Sequence, residues 1–223
     1  MKEGFHQEII AAPATPPGTG GVAIIRLSGS GCNKLIKPLF RPASSFAGFR
    51  PYRLHHGWFL DKQGGELDEV LISFMPGPGS YTGEDTVEIN CHGGPAIVRC
   101  ILETLYSCGI RPAGPGEFTF RAFVNGKLGL DQAEAVAEMI SAPSRRAADF
   151  AREKMKGRLG KIISRLRQGL EELRVQLLVA VDFPEDELEC LSREEFSSKL
   201  IEAERTILQL VENFERTSSW REG

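Results

Sequence analysis

The sequence predicts an α+β N-terminal domain followed by an all-α helical segment. Eleven of the 13 prolines lie before residue 125, where short apolar runs alternate with Gly and Pro, a pattern typical of strands and loops. The second half is rich in Leu, Glu, Arg, Lys and Ala at helical spacing. We therefore divide the chain into residues 1–123 and residues 124–223.

In the first domain, short apolar runs bounded by Gly, Pro and Ser predict four strands and two helices. Pro95–Ser107 is predicted as a helix because Pro lies in its first turn and Gly109 follows its end. A shorter helix is expected over Cys32–Phe40, after the break at Ser28–Gly31. The predicted strands are Val22–Leu27, His55–Leu60, Val70–Phe74 and Thr86–Cys91, with a turn at Lys62–Gly65.

The second half carries two apolar stripes at helical spacing. The first predicts one long helix from about Ser144 to Phe183, which Pro184 ends. Ser192 and Glu195 form a capping box that begins a second helix. A short acidic turn, Glu185–Glu189, would join the two in an antiparallel hairpin with exposed apolar stripes, since each helix needs further helices to cover it. The stripes are Met155, Leu159, Ile162, Leu166, Leu170, Leu173 and Leu177, then Phe196, Leu200, Ala203, Ile207, Leu210 and Phe214.

Composition excludes several classes of protein. Hydrophobic residues make up 41% of the 223 residues and charged residues 26%, which is typical of a soluble globular protein. The net charge of −3 argues against nucleic-acid binding over the whole surface, so any such contact must be local. We find neither a membrane-spanning run nor a secretory signal. The five cysteines include no CxxC pair, so we expect reduced thiols in the cytoplasm.

A Gly-rich loop runs directly into the strand that carries Arg26. The loop is not a phosphate-binding P-loop, because the GxxxxGK[ST] spacing is absent from Ala14–Leu27 and a strand follows the loop instead of preceding it. Arg26 follows three apolar residues and needs a carboxylate or phosphate partner, because an unpaired buried charge is costly. From pattern alone, a structural ion pair and an anion-binding role are both open.

Glu88 lies within a predicted strand between Val87 and Ile89. Strict alternation points it away from both, with Thr86 and Asn90 on its side. A carboxylate suits a ligand with an amidine-like edge, such as a pterin or guanine, because it accepts two parallel N–H bonds. A solvent-facing strand residue is the alternative. We expect its neighbours in the preceding loop, Glu84 and Asp85, to be solvated.

Two further segments carry candidate chemistry. Cys91 and His92 are adjacent on a strand end and point apart, which disfavours joint metal ligation; the following glycines permit close backbone approach at the helix start. In Pro112–Leu130, aromatic residues surround Arg121 and precede Lys127. They predict either a hydrophobic plug between domains or an aromatic and basic wall for a flat anionic ligand. The aromatic residues are Phe118, Phe120 and Phe123.

Several long motifs stand in the order and spacing of one known family. They are ATPPGTGGVAIIRLSG, PGPGSYTGEDTVEINCHGG, RPAGPGEFTFRAFVNGKLGLDQAEAVAEMI and VDFPEDELECLS. Through them the chain resembles the MnmE (TrmE) family, the tRNA uridine-5-carboxymethylaminomethyl modification GTPases. The match covers most of residues 10–195. It is more specific than any single glycine loop because several motifs coincide.

The resemblance implies a tetrahydrofolate-binding, aminomethyltransferase-like fold that forms a homodimer, then a helical domain interrupted by a Ras-like GTPase domain. This chain ends where that GTPase domain would begin. GTP hydrolysis, with its potassium and magnesium, is therefore expected only of the complete protein. The implied partners are tRNA and an FAD-containing subunit, MnmG (GidA), and no membrane. Folate would supply the one-carbon unit that links an amine to C5 of the wobble uridine, U34.

Three residues match the family's contacts to 5-formyltetrahydrofolate or a related reduced folate: Arg26 in IIRLSG, Glu88 in TVEIN and Lys127 in VNGKL. Our hypothesis is that Glu88 accepts from the pterin N–H edge, while Arg26 and Lys127 contact the polar ring edge or the anionic tail. The swapped assignment is also open. No catalytic or metal-binding residue is expected in this chain.

The sequence departs from the family at two loops and leaves two other functions open. Thr19 stands where the family often has a basic residue, and GKLGL replaces the frequent DKLDL, which removes charges around the implied pocket. The alternatives are an independent folate-dependent aminomethyl or one-carbon transferase and a ligand-free dimerisation scaffold.

Overall fold

The computed structural model describes residues 8–182 and 192–218, with side chains to residue 212. The chain divides into two compact units, Met1–Ala151 and Arg152–Gly223. Among the described residues, none of the helices combines the length and apolarity that crossing a bilayer requires.

The first unit is built on a seven-stranded sheet in the order β3-β4-β5-β6-β2-β1-β7. Neighbouring strands pair antiparallel, except β1 and β7, which are parallel. The strands are β1 (Ile10–Pro13), β2 (Gly20–Ser28), β3 (Phe40–Pro42), β4 (Leu54–Leu60), β5 (Glu66–Met75), β6 (Thr86–Gly93) and β7 (Arg111–Pro112).

Seven α-helices accompany the sheet in the described part of the chain. They are α1 (Cys32–Ile36), α2 (Pro95–Ser107), α3 (Glu117–Val124), α4 (Leu130–Ser141), α5 (Arg145–Met155), α6 (Arg158–Asp182) and α7 (Arg193–Ser218). The predicted class, an α+β domain followed by helices, is confirmed.

One face of the sheet forms the core and the other stays open. Ile25, Ile72 and Ile89 alternate onto the covered face, where Ile101 and Leu105 of α2 pack against them. The opposite face, which we call the open sheet face, exposes apolar side chains as large as Val22, Leu54 and Leu71. Such alternation is typical of an antiparallel sheet with one face packed.

The predicted strands and the predicted helix α2 are all found, with small changes at their ends. The helix expected over Cys32–Phe40 was wrong in its second half. It ends at Ile36, a 3-10 turn follows at Lys37–Leu39, and Phe40 begins β3. Pro38 explains the change, because it has no N–H to continue the helical hydrogen bonds.

The long helix predicted from Ser144 to Phe183 is two helices, α5 and α6. Gly157 separates them in a left-handed conformation with φ of 63°, and its N–H donates to the Lys154 carbonyl at 2.9 Å. This is the usual way for glycine to end a helix. The last predicted residue, Phe183, lies outside the described residues, as do Pro184 and the acidic turn Glu185–Glu189.

The capping box that begins α7 is confirmed. The Glu195 N–H donates to Ser192 Oγ at 3.2 Å, and the Ser192 N–H donates to Glu195 Oε2 at 3.0 Å. These hydrogen bonds satisfy backbone donors that have no partner within the helix.

Helices α6 and α7 pack against each other and line a shared cleft. The prediction of exposed stripes holds for half of the twelve members whose side chains are described and fails at Leu173, which is buried; Phe214 lies outside the described side chains. Of the other stripe positions, Met155, Leu159, Leu170, Leu177, Leu200 and Ile207 are exposed. Contact between the two helices buries only part of each stripe.

Candidate functional site

Arg26 and Glu88 form a cross-strand ion pair on the open sheet face. They are register partners on β2 and β6. Arg26 Nε donates to Glu88 Oε1 at 2.8 Å, and Nη2 lies 2.8 Å from the same oxygen. Their side chains are 29% and 22% exposed, so solvent and ligands reach both. The ion pair that the sequence left open is therefore present, on a face that a ligand can approach.

The two Arg26 contacts involve one oxygen of the carboxylate. Glu88 Oε2 has no hydrogen-bond partner among the residues that the structure describes. Because an ionised carboxylate accepts on both oxygens, Oε2 is available to an N–H donor from a ligand. Arg26 orients the carboxylate while leaving this acceptor free.

Two aromatic rings flank the Arg26 guanidinium. Its Cζ lies 5.7 Å from the ring centroid of Tyr81 and 5.7 Å from that of Phe118, within the range of a cation–π contact. The Tyr81 hydroxyl is 3.0 Å from Thr119 Oγ1, which links the loop before β6 to α3. Sequence reasoning missed Tyr81, because a single aromatic residue in a Gly-rich loop carries no periodic signal.

Lys127 lies against the same loop. Its Nζ donates to the Pro78 carbonyl at 2.8 Å, and its backbone N–H donates to the Ala122 carbonyl at 2.8 Å. No described contact joins Lys127 directly to Arg26 or Glu88. The structure thus pairs two of the three predicted site residues and places the third on the loop that carries Tyr81.

Different residues of the aromatic and basic segment around Arg121 have different environments, so neither predicted role, plug or wall, describes the whole segment. Phe118 faces Arg26, which suits the wall. Arg121 is only 3% exposed and lines no surface. Its guanidinium lies 2.9 Å from Glu84, 3.0 Å from Glu117 and 3.0 Å from the Glu8 carbonyl. Arg121 is therefore part of the internal structure.

The expectation that Glu84 and Asp85 are solvated loop charges was wrong. Glu84 accepts from Ser28 Oγ at 2.8 Å in addition to its pair with Arg121. Asp85 accepts from the backbone N–H groups of Gly31 and Gly77, each at 3.1 Å. Both carboxylates fasten the loop before β6 to the rest of the domain, and the folded backbone supplies partners that the local sequence does not reveal.

A cavity of about 430 Å³ lies on the open sheet face. Asn90 lines it, two residues along β6 from Glu88 and on the same side of that strand. Its volume falls within the range of roughly 300–1,000 Å³ for small-molecule pockets. The cavity thus begins two residues along β6 from Glu88, and neither Arg26 nor Glu88 lines it. Its other lining residues are Gly21, Val22, Leu54, His56, Glu69, Val70, Leu71, Cys91 and His92.

Cys91 and His92 point to opposite sides, as predicted. Burial raises the pKa of the Cys91 thiol to about 11, so the thiol stays protonated at neutral pH. His92 is exposed, and its Nδ1 lies 2.6 Å from Asp68 Oδ1. The hydrogen bond to Asp68 raises the pKa of His92. In the described part of the chain, no cluster of three or more His, Cys, Asp or Glu suits a metal ion.

Two family models match the chain in succession. Residues 9–127 match the N-terminus of the GTP-binding protein TrmE, and residues 130–223 match the MnmE helical domain. Both matches agree with the resemblance that the sequence motifs indicate.

Curated relatives named tRNA modification GTPase MnmE match nearly the whole chain. The protein of Nitratidesulfovibrio vulgaris strain DP4 is 49% identical over 219 residues, covering 98% of this chain and 48% of the relative. That of Lawsonia intracellularis is 45% identical, covering 97% and 47%. The Clostridioides difficile protein is 40% identical, covering 98% and 48%. The chain spans about half the length of these relatives, and it belongs to the MnmE family of tRNA modification GTPases.

Proposed function

We propose that this chain binds a reduced folate, 5-formyltetrahydrofolate or a close relative, beside the Arg26–Glu88 pair. The observation that carries the proposal is the unpartnered Glu88 Oε2 on an accessible face, held in place by Arg26. A pterin edge presents parallel N–H donors that such a carboxylate accepts. The nearby cavity and the rings of Tyr81 and Phe118 offer flat, partly apolar surroundings for a fused ring.

Lys127 and Arg26 supply positive charge for the polar ring edge or the anionic tail of the folate. Among the described side chains and backbone groups, the Lys127 ammonium has one polar partner, the Pro78 carbonyl. A carboxylate ligand competes well with that neutral acceptor, because charge-assisted hydrogen bonds are about twice as strong as neutral ones. The bound folate supplies a one-carbon unit, and these residues bind and orient it.

At the level of the complete protein, the relatives' name supports tRNA modification and GTP hydrolysis, and the rest of the proposal comes from the family resemblance. We propose a homodimeric, cytoplasmic protein that binds tRNA and acts with an FAD-containing partner subunit, MnmG. Together they add a carboxymethylaminomethyl group to C5 of the wobble uridine, U34. GTP hydrolysis, with potassium and magnesium, belongs in this proposal to the complete protein and not to these residues.

Calorimetric titration of the chain with 5-formyltetrahydrofolate tests the site. We expect saturable binding that Glu88→Ala weakens about 10- to 100-fold, since a hydrogen bond to a charged group contributes about 1.5–3 kcal/mol. Arg26→Ala and Lys127→Ala should also weaken binding.

The Arg41–Glu66 pair provides a matched control. It is also an exposed ion pair between strands. Arg41 lies on the edge strand β3, however, and Glu66 lies seven residues along β5 from Ser73, the register partner of Glu88. Glu66→Ala should leave the folate affinity unchanged. A folded wild-type chain that binds no folate contradicts the proposal and favours a ligand-free scaffold.

A further inference from the structure

One short segment of the second unit is strongly basic, although the chain as a whole is acidic. Residues 152–167 contain seven Lys and Arg and one acidic residue, Glu153, a net charge of +6. The complete chain has 27 basic and 30 acidic residues. The remaining 207 residues therefore have 20 basic and 29 acidic, a net charge of −9. We call residues 152–167 the basic segment.

The fold gathers part of the basic segment on one face of a helix. The segment passes from α5 through the turn at Gly157 into α6. Arg158, Lys161 and Arg165 follow at intervals of three and four residues, so their side chains share one face of α6. All three are exposed.

Few internal partners neutralise this face. Arg158 Nη1 lies 3.7 Å from Glu153, whose other oxygen pairs with Lys156. Lys161 and Arg165 have no ion pair with any side chain in the ranges 8–182 and 192–212. Their charges therefore face solvent and are available to an external anion.

The position of these cations runs against the electrostatics of an isolated helix. The N-terminus of a helix carries partial positive charge and favours acidic side chains, yet the first turn of α6 contains none. Basic residues here add to the positive potential of the unpaired backbone N–H groups. A bound anion removes the conflict, and helix N-termini commonly receive phosphate groups.

We propose that Arg158, Lys161 and Arg165 form a surface that binds the phosphate backbone of tRNA. The inference rests on the proposed function, because the relatives' name, tRNA modification GTPase, supplies the RNA. An otherwise acidic chain requires its contact with nucleic acid to be local, and phosphate contacts position RNA without reading its sequence.

An anionic membrane surface is the competing partner for a basic amphipathic helix. Such a helix must turn its apolar face to lipid. On α6, Ile162, Leu166 and Leu173 line the cleft that this helix shares with α7, at whose edge Arg165 also lies. Other apolar side chains of α6, Leu159, Leu170 and Leu177, are exposed. We commit to RNA because the relatives are named tRNA modification GTPases, and binding to anionic vesicles is the outcome that would contradict this choice.

Fluorescence anisotropy with labelled tRNA, the full chain and 50–250 mM salt tests the surface. The test variant combines Arg158→Gln, Lys161→Gln and Arg165→Gln. The control combines Lys34→Gln, Lys37→Gln and Arg99→Gln, which removes the same charge from exposed positions in the first unit. We expect the test variant to lose at least tenfold in affinity at about 100 mM salt. The salt slope should fall by about 2–3, as three lost phosphate contacts require. The control should stay within about twofold of wild type.

Three results overturn the inference: unchanged affinity of the test variant, an equal loss in the control, or wild-type binding to phosphatidylserine vesicles but not to tRNA. Circular dichroism of the test variant must match wild type, so that unfolding does not imitate a lost contact. Titration of the same preparation with 5-formyltetrahydrofolate separates the two proposals. A chain that binds folate but not tRNA overturns only this inference, whereas a folded chain that binds tRNA but not folate overturns only the folate site.

Discussion

At the scale of single residues, the buried guanidinium of Arg121 holds two carboxylates of the first unit, those of Glu84 and Glu117. Its ion pair with Glu84 joins α3 to the loop before β6. Glu84 also accepts a hydrogen bond from Ser28 at the end of β2. The loop that it fastens also carries Tyr81 and the Lys127 acceptor Pro78. Arg121 thus holds in place the loop that carries part of the candidate site, although Arg121 itself does not line the site.

Replacing Arg121 should destabilise the protein severely. Arg121→Met leaves Glu84 and Glu117 without a buried cation, and breaking such a pair costs about 3–5 kcal/mol. The free energy of unfolding in urea measures this loss. Arg174→Met is the matched control, because the Arg174–Glu171 pair is exposed and contributes less than about 1 kcal/mol. Equal losses in the two variants would contradict the assigned role of Arg121.

Glu117 should make stability depend on pH. Its hydrogen bond with Arg111, together with the smaller effects of the Gly114 N–H and Arg121, lowers the pKa of Glu117 to about 2. A lowered pKa contributes stability that is present above the unfolded-state value, near 4.5, and is lost as pH falls from there through 2.

We therefore expect Glu117→Gln to be less stable than wild type at pH 7, with the difference shrinking between pH 4.5 and 2. Urea unfolding of both proteins across this range measures the difference. A constant gap at every pH would show that the charge of Glu117 contributes nothing to the pair.

At the scale of elements, one glycine decides where the long helical region breaks. Gly157 has a left-handed backbone, which a side chain disfavours, whereas Gly169 lies within α6 with open space around the position of a Cβ. The same substitution should therefore have opposite effects at the two positions.

We expect Gly157→Ala to lower the unfolding free energy by about 1 kcal/mol and Gly169→Ala to raise it by about 0.5–1 kcal/mol. Helical circular dichroism during urea unfolding measures both. Stabilisation by Gly157→Ala would mean that α5 and α6 form one continuous helix in solution.

At the scale of the whole molecule, the second unit exposes several large apolar side chains on both of its long helices. Leu177 and Val181 on α6 and Leu208 and Val211 on α7 are all exposed. Contiguous exposed apolar area commonly marks an interaction surface or an aggregation liability.

The double variant Leu177→Glu, Val181→Glu should therefore reduce self-association of the chain. Light scattering coupled to size exclusion measures the mass distribution. The control Lys34→Glu, Lys37→Glu makes an acidic change at two exposed positions of the first unit and should leave the larger species in place. Unchanged association in the α6 variant would exclude this surface as its cause.

The sequence by itself determined the parts of this protein that depend on local pattern. Alternation in Thr86–Cys91 pointed Glu88 away from the core, Pro95 marked the start of α2, and Ser192 with Glu195 marked the start of α7. These features follow from the two-residue period of a strand and from the backbone groups left unpaired at a helix end, which are encoded within a few residues. The motifs also identified the family, which the comparisons confirmed.

Only the tertiary structure decided which charges meet. Arg26 and Glu88 are 62 residues apart in the chain, and the register between β2 and β6 brings them together. The sequence of β2 or of β6 alone does not determine which residues of the two strands lie opposite each other. The two-residue strand β7 carries too few residues to show a period. Ser28 and Arg121, which contact Glu84, and Gly31, which donates to Asp85, likewise belong to segments distant in sequence. The contacts of both carboxylates therefore depended on packing that no local pattern expresses.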